Sequence, residues 1–260
     1  MLKKRIIGVV TVKNGWAVQS FGYHRYLPLG KPECLVENLD RWGADEILVR
    51  VIDRSVNELG PDFELLEKLA RLGLGTPLIY GGGICTAGQG VQVIRAGADR
   101  ITLDSLLHHD LYMLKCLADQ LGAQALIASL PMVMGENEPQ WFNYESGISA
   151  PVGTLVEVLV EQKLVSEVLL TDSMNEGEPN GFDTRLVDLF PDQKVPLIVF
   201  GGISSIGQMD DLLAKPNVVA VSVGNFLNYH EHAIQYFKEG LASTYLRPST
   251  YASELLLVYD

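Results

Sequence analysis

Two glycine clusters carry the first chemical signal in this chain. Gly81-Gly82-Gly83-Ile84 follows the apolar run Pro77-Leu78-Ile79-Tyr80, and Gly201-Gly202-Ile203-Ser204 follows Pro196-Leu197-Ile198-Val199-Phe200. Glycine lets the backbone turn tightly at a strand end and lie close to a ligand, while the helix behind it aims its first amides at an anion. A further apolar strand follows each cluster, ending at Asp104-Ser105 in one case and at Gly224-Asn225 in the other. Gly82, Gly83, Asp104 and Ser105 thus form one expected phosphate site. Gly177, Gly201, Gly202, Gly224 and Asn225 form the second, and the pair suits a small molecule phosphorylated at both ends. The competing structural reading is that the glycines only permit tight turns. Asp104 breaks the symmetry, because a carboxylate repels phosphate and weakens the first site.

The elements that must position these residues also come twice. Acid-led strands Glu46-Ile47-Leu48-Val49 and Glu167-Val168-Leu169-Leu170 precede the clusters, and Arg100-Ile101-Thr102-Leu103 and Val219-Ala220-Val221-Ser222 follow them. Four strands with intervening helices, repeated once after about 120 residues, are the arithmetic of an α/β fold, a single (β/α)8 barrel of two half-barrels with its sites at the C-terminal face. Strands are expected near 5–12, 46–52, 77–81, 100–104, 125–130, 167–172, 196–201 and 218–223. Helices are expected between them, for example over 62–72 and 151–163, where leucines and valines recur at helical spacing. Stretches 21–31, 131–150 and 173–181 read as long irregular loops on the catalytic face. The barrel is expected to span 1–242, with 243–260 a tail packed on it.

Composition narrows the function classes. A net charge of −12 argues against nucleic-acid and phospholipid surfaces, which need a basic face. Apolar runs stop short of membrane length and the basic start is too short for a signal peptide, so a cytoplasmic protein is expected. Cys34, Cys85 and Cys116 are few and unpaired in spacing, which suits a reducing compartment; Cys85 reads as a half-buried residue opening a helix. The pairs His108-His109 and His230/His232 point to different faces if helical, so no metal is expected, and no cofactor. Tyr23-His24-Arg25-Tyr26 reads either as a substrate grip or as aromatics packed on the rim.

Spaced motifs over about residues 1–240 resemble the HisF family, the cyclase subunit of imidazole glycerol phosphate synthase. They are Leu2-Lys3-Lys4-Arg5-Ile6-Ile7, Val12-Lys13-Asn14-Gly15, Gly81-Gly82-Gly83-Ile84, Gly97-Ala98-Asp99-Arg100, Leu169-Leu170-Thr171 with Glu176-Gly177, and Gly181-Phe182-Asp183. The resemblance implies a barrel docked on a glutaminase of the class I amidotransferase type, with ammonia travelling the core to a bis-phosphorylated nucleotide. The family's two acid-base aspartates match Thr11 and Pro131, neither of which can move a proton at neutral pH. A family lysine matches Gln19 and an aspartate matches Val51. At the phosphates Asp104, Ser105 and Asn225 match asparagine, threonine and serine. Asp53, Asp172 and Glu176 are the nearby acids that could substitute.

The opposite end keeps the family's pattern. The charged ring at the ammonia entrance matches Arg5, Glu46, Arg100 and Glu167, and Asp99 matches a carboxylate that contacts the glutaminase. The alternative is ordinary acids at a solvated rim. A changed top over a kept bottom resembles the HisF-like branch linked to acetamidino-sugar formation in surface-polysaccharide synthesis, as does Gly60-Pro61-Asp62-Phe63-Glu64-Leu65. The expected role is then an ammonia-receiving barrel in a glutamine-dependent amidotransferase complex. A third, ligase-type protein and a phosphorylated or nucleotide-sugar ligand complete it. The alternatives are a genuine cyclase of histidine biosynthesis, which is a lyase, and a non-catalytic adaptor.

Overall fold

The computed structural model describes residues 3–144, 146–241 and 246–249. The chain opens with β1 (Arg5–Lys13), β2 (Trp16–Phe21) and β3 (Arg25–Gly30), followed by α1 (Pro32–Arg41), β4 (Glu46–Val51), α2 (Phe63–Ala70) and β5 (Leu78–Gly81). Then come α3 (Ala87–Arg95), β6 (Arg100–Leu103), α4 (Ser105–His109), α5 (Leu111–Leu121), β7 (Leu126–Met134), β8 (Pro139–Asn143) and β9 (Ile148–Pro151). The rest is α6 (Gly153–Glu161), β10 (Glu167–Asp172), α7 (Arg185–Asp188), β11 (Leu197–Phe200), α8 (Ile206–Ala214), β12 (Val218–Val223) and α9 (Ala233–Leu241). Parallel strands run in the order β1-β4-β5-β6-β7-β10-β11-β12, and β12 pairs back onto β1. The sheet is a closed (β/α)8 barrel.

Alternation along the strands divides the core in two. Ile7, Val9, Leu48, Ile79, Ile127, Leu169, Ile198, Phe200 and Ala220 pack together inside the barrel. Their strand neighbours, such as Ile6, Ile47, Val49 and Val199, face outward into a larger layer shared with the helices. Residues one apart on a strand point to opposite faces, so both sides of these strands must be apolar. In α2, Leu65, Leu66 and Leu69 are the buried stripe, each worth about 1.5–3 kcal/mol of burial.

The half-barrel repeat is visible at atomic detail. Thr86 caps α3 by accepting from the Gln89 amide, and Ser205 caps α8 by accepting from that of Gln208. Gln89 Oε1 in turn accepts from Cys85 N, and Gln208 Oε1 from Ser204 N. Each cap satisfies amides that the first helical turn leaves open.

Two expected loops are sheet instead. Residues 21–31 contain β3, which pairs antiparallel with β2, and residues 131–150 continue β7 to Met134 and then form the antiparallel β7-β8-β9 ladder. Polar, glycine-bearing strands at the barrel mouth lack the apolar runs that betray the barrel strands. His230 and His232 lie in the turn before α9, not on a helix, and Cys85 is exposed. Of the expected tail only residues 246–249 are described; Leu246 is buried beside Lys4 at the barrel floor. Among the described residues no helix is long and apolar enough to cross a membrane.

Candidate functional site

The barrel floor brings four of the expected residues into one closed ring. Arg5 donates from Nη1 to Glu46 Oε2 at 2.9 Å and from Nη2 to Glu167 Oε1 at 2.6 Å. Arg100 faces the other oxygen of each acid, Nη1 to Glu46 Oε1 at 3.3 Å and Nη2 to Glu167 Oε2 at 2.7 Å. The four side chains are only 9–15% exposed. Alternating signs let each ion neutralise two neighbours, which offsets the cost of drawing four charges out of water. Asp99 is exposed beside the ring and accepts from Leu78 N at 2.7 Å, so it also fastens the start of β5.

Above the ring the lumen is aliphatic, from Ile7, Leu48, Ile79, Ile127, Leu169, Ile198 and Ala220. The strand alternation then turns Thr102, Ser129, Thr171 and Ser222 inward, and all four are buried. Thr171 Oγ1 and Ser222 Oγ have no hydrogen-bond partner among the described residues. Thr11 and Pro131 are both buried at the next level. No carboxyl stands at either position.

Val51 packs outward into the helix layer, so its neighbour Arg50 is the residue that enters the mouth. Arg50 pairs with Thr11 in the β1-β4 register and donates from Nη1 to the Tyr23 hydroxyl at 2.6 Å. Its guanidinium carbon lies 5.4 Å from the ring centres of both Tyr23 and Phe200. Tyr23 comes from the turn between β2 and β3 at φ 58°, and burial raises its hydroxyl pKa above the usual phenol value. The rest of the tract stays outside: Arg25 stacks on Phe21 and Lys13 on Tyr26. Neither Arg50 nor the inward turn of Tyr23 was drawn from the sequence. The signal was there for Arg50, since Glu46, Leu48 and Arg50 share one face of a strand and Leu48 on that face lines the lumen.

At the second half-barrel site, Glu176, Gly177, Phe200, Gly201, Gly202, Gly224 and Asn225 line one cleft. Gly202 has φ 70°, and a Cβ there would come within 2.7 Å of Asn175 O, so close packing alone demands glycine. Asn225 is turned aside, its amide accepting from Ser20 N and donating to Ser20 O. At the first site Gly83 also has φ 70°, but its N–H donates to Ser55 Oγ at 3.1 Å. The Gly202 amide has no such partner among the described residues. Ser105 Oγ shares a hydrogen bond of 2.7 Å with the Tyr144 hydroxyl, and Asp104 Oδ1 sits 3.5 Å from His108 Nε2. Trp141 of β8 stacks on the His108 ring at 3.7 Å. The hairpin thus packs Trp141 and Tyr144 against the residues of the first expected site, while a small cleft stands at the second.

The acids that could replace the missing pair are held by other donors. Asp172 accepts from Met174 N, Asn175 N, Asn175 Nδ2 and Asp183 N, and burial raises its pKa against those bonds. Glu176 accepts from Ser20 Oγ at 3.0 Å and Tyr23 N at 3.3 Å; burial raises its pKa too, opposed by Ser20 and Arg50. Asp53 accepts from Asn14 N at 2.8 Å.

A single-chain barrel with this charged floor and glycine-lined rim matches one family profile across most of its length, residues 5–235, described as histidine biosynthesis protein. The chain belongs to that family. It is HisF-like: the hisF2 protein of Vibrio vulnificus strain YJ016 is 29% identical over 235 residues, 90% of this chain and 86% of the relative. The imidazole glycerol phosphate synthase subunit HisF of Natranaerobius thermophilus is 26% identical over 245 residues, 93% of this chain and 97% of its own. That of Lactococcus lactis subsp. cremoris is 28% identical over 245 residues, 93% and 94%.

Proposed function

We propose that this HisF-like chain is the barrel subunit of a glutamine-dependent amidotransferase complex rather than a ring-closing cyclase. A glutaminase of the class I type docks on the floor and releases ammonia beneath the ring of Arg5, Glu46, Arg100 and Glu167. Neutral ammonia then passes the aliphatic lumen, where an ammonium ion is strongly disfavoured, and reaches the hydroxyl layer above. Acceptance takes place at a mouth with one open anion site, on a phosphorylated or nucleotide-sugar acceptor, with a third, ligase-type protein carrying out the amidination in surface-polysaccharide synthesis. The barrel would be cytoplasmic.

The carrying observation is the pairing of a closed charge ring with a lumen that holds Thr11 and Pro131 where acid-base chemistry would need carboxyls. The candidate substitutes do not repair this, because Asp53, Asp172 and Glu176 each hold backbone amides. The three relatives, whose names all carry imidazole glycerol phosphate synthase, favour the second reading, a cyclase of histidine biosynthesis. Purified complex, given glutamine or ammonium and the nucleotide intermediate of the synthase, separates the two. Conduit function predicts glutamine hydrolysis stimulated by the barrel with no ring closure; ring closure within tenfold of a HisF cyclase overturns it, since loss of each general acid or base costs about 10²- to 10⁴-fold.

A further inference from the structure

We propose that Arg50 is an oxyanion-binding residue at the centre of the mouth, kept in place in the free barrel by Tyr23. Its guanidinium offers five N–H donors in a planar fork suited to a carboxylate or phosphate. Only one is engaged among the described residues, by the neutral Tyr23 hydroxyl, and no carboxylate among them lies within ion-pair distance. Glu176 and Asp104 are the acids that act electrostatically on Tyr23, and Arg50 counters the raised pKa of Glu176. Both acids face other partners, Glu176 the Ser20 hydroxyl and the Tyr23 amide, Asp104 the His108 ring. A half-buried cation with no directly paired carboxylate is costly to hold, and the neutral residues Thr11 and Pro131 at its level offer it no charge.

Position gives the site its ligand class. Phe200 stacks on the Arg50 guanidinium and also lines the cleft of Gly201, Gly202 and Gly224. An acceptor with phosphate on that cleft would present its next anionic group across Phe200 to Arg50. Tyr23 must then yield. It sits on a left-handed backbone that side-chain-bearing residues rarely adopt, in a half-buried turn between β2 and β3 that lies outside the barrel strands, so its side chain can rotate away without moving one of them. The site does not depend on whether ammonia crosses the lumen.

The test uses crystals of the barrel soaked in inorganic phosphate and, separately, in acetate. The expected result is an anion within hydrogen-bond distance of the Arg50 guanidinium and a displaced Tyr23 hydroxyl; which anion does this assigns the ligand as phosphate or carboxylate. Arg50 still bonded to Tyr23 in both soaks, whatever fills the Gly202 cleft, overturns the proposal. In solution, phosphate binding followed by NMR of the Arg50 side chain should tighten about three- to tenfold in Tyr23→Phe, which removes the competing hydroxyl. It should weaken at least tenfold in Arg50→Gln, followed on the Tyr23 ring. Unchanged affinity in Tyr23→Phe counts against the site even where Arg50→Gln fails to fold.

Discussion

Removing Glu167 tests whether the floor ring is a desolvated network or a set of rim charges. Glu167→Ala deletes contacts of 2.6 Å to Arg5 and 2.7 Å to Arg100, both arginines being 14% exposed or less. Breaking a buried ion pair from one side costs about 3–5 kcal/mol. Glu46 still bridges both guanidiniums and water can reach the ring from below, which places the expected loss near ~2–3 kcal/mol. Urea unfolding followed by circular dichroism measures it directly, and at roughly 2–4 °C per kcal/mol for a domain of this size class the melting temperature falls by about 4–12 °C. The companion variant replaces all four residues: Arg5→Met, Glu46→Leu, Arg100→Met and Glu167→Leu together should leave stability within about 1 kcal/mol of the parent or raise it, because four desolvation costs vanish with the pairs. That outcome would show that the ring does not exist for stability. A loss below about 0.5 kcal/mol for Glu167→Ala alone would refute the argument, since surface pairs are worth that little.

Asp99 should separate docking from folding: Asp99→Asn keeps an acceptor for Leu78 N but removes the charge, so it should impair glutaminase stimulation at near-parental stability, whereas Asp99→Ala should also lose about 1–3 kcal/mol by orphaning that amide. Equal stimulation by parent and both variants would remove Asp99 from the interface. Glu176 has a folded pKa raised above its ordinary 4.5 by burial, so its contribution to stability is full below the unfolded value and is lost as pH rises through the folded one. Urea midpoints from about pH 4 to 8 should therefore show Glu176→Gln gaining on the parent as pH rises, and a gain on acidification would contradict the sign. Crystals grown in sulfate or phosphate should show an anion at Gly177, Gly202 and Gly224 before any at Gly83 and Asp104, because Ser55 and Tyr144 already hold the first site's donors. Density at the first site with the second empty would reverse that ranking.

Sequence by itself determined the barrel, its two halves and the identity of the floor charges. Apolar runs of strand length alternating with amphipathic segments leave few ways to bury both faces of eight parallel strands, and the repeated glycine clusters mark the two halves. The floor charges Arg5, Glu46, Arg100 and Glu167 were singled out by the resemblance to the HisF family, and each stands at the N-terminal end of a strand. Tertiary structure decided the mouth. Whether 21–31 and 131–150 were loops or hairpins depended on long-range pairing that polar, glycine-bearing segments do not announce. Those hairpins deliver Tyr23 to Arg50, Trp141 to His108 and Tyr144 to Ser105, contacts between residues 27, 33 and 39 positions apart. Side-chain hydrogen bonds formed only on closure distinguish two similar glycine clusters, because the side chains packed against the first come from elsewhere in the chain.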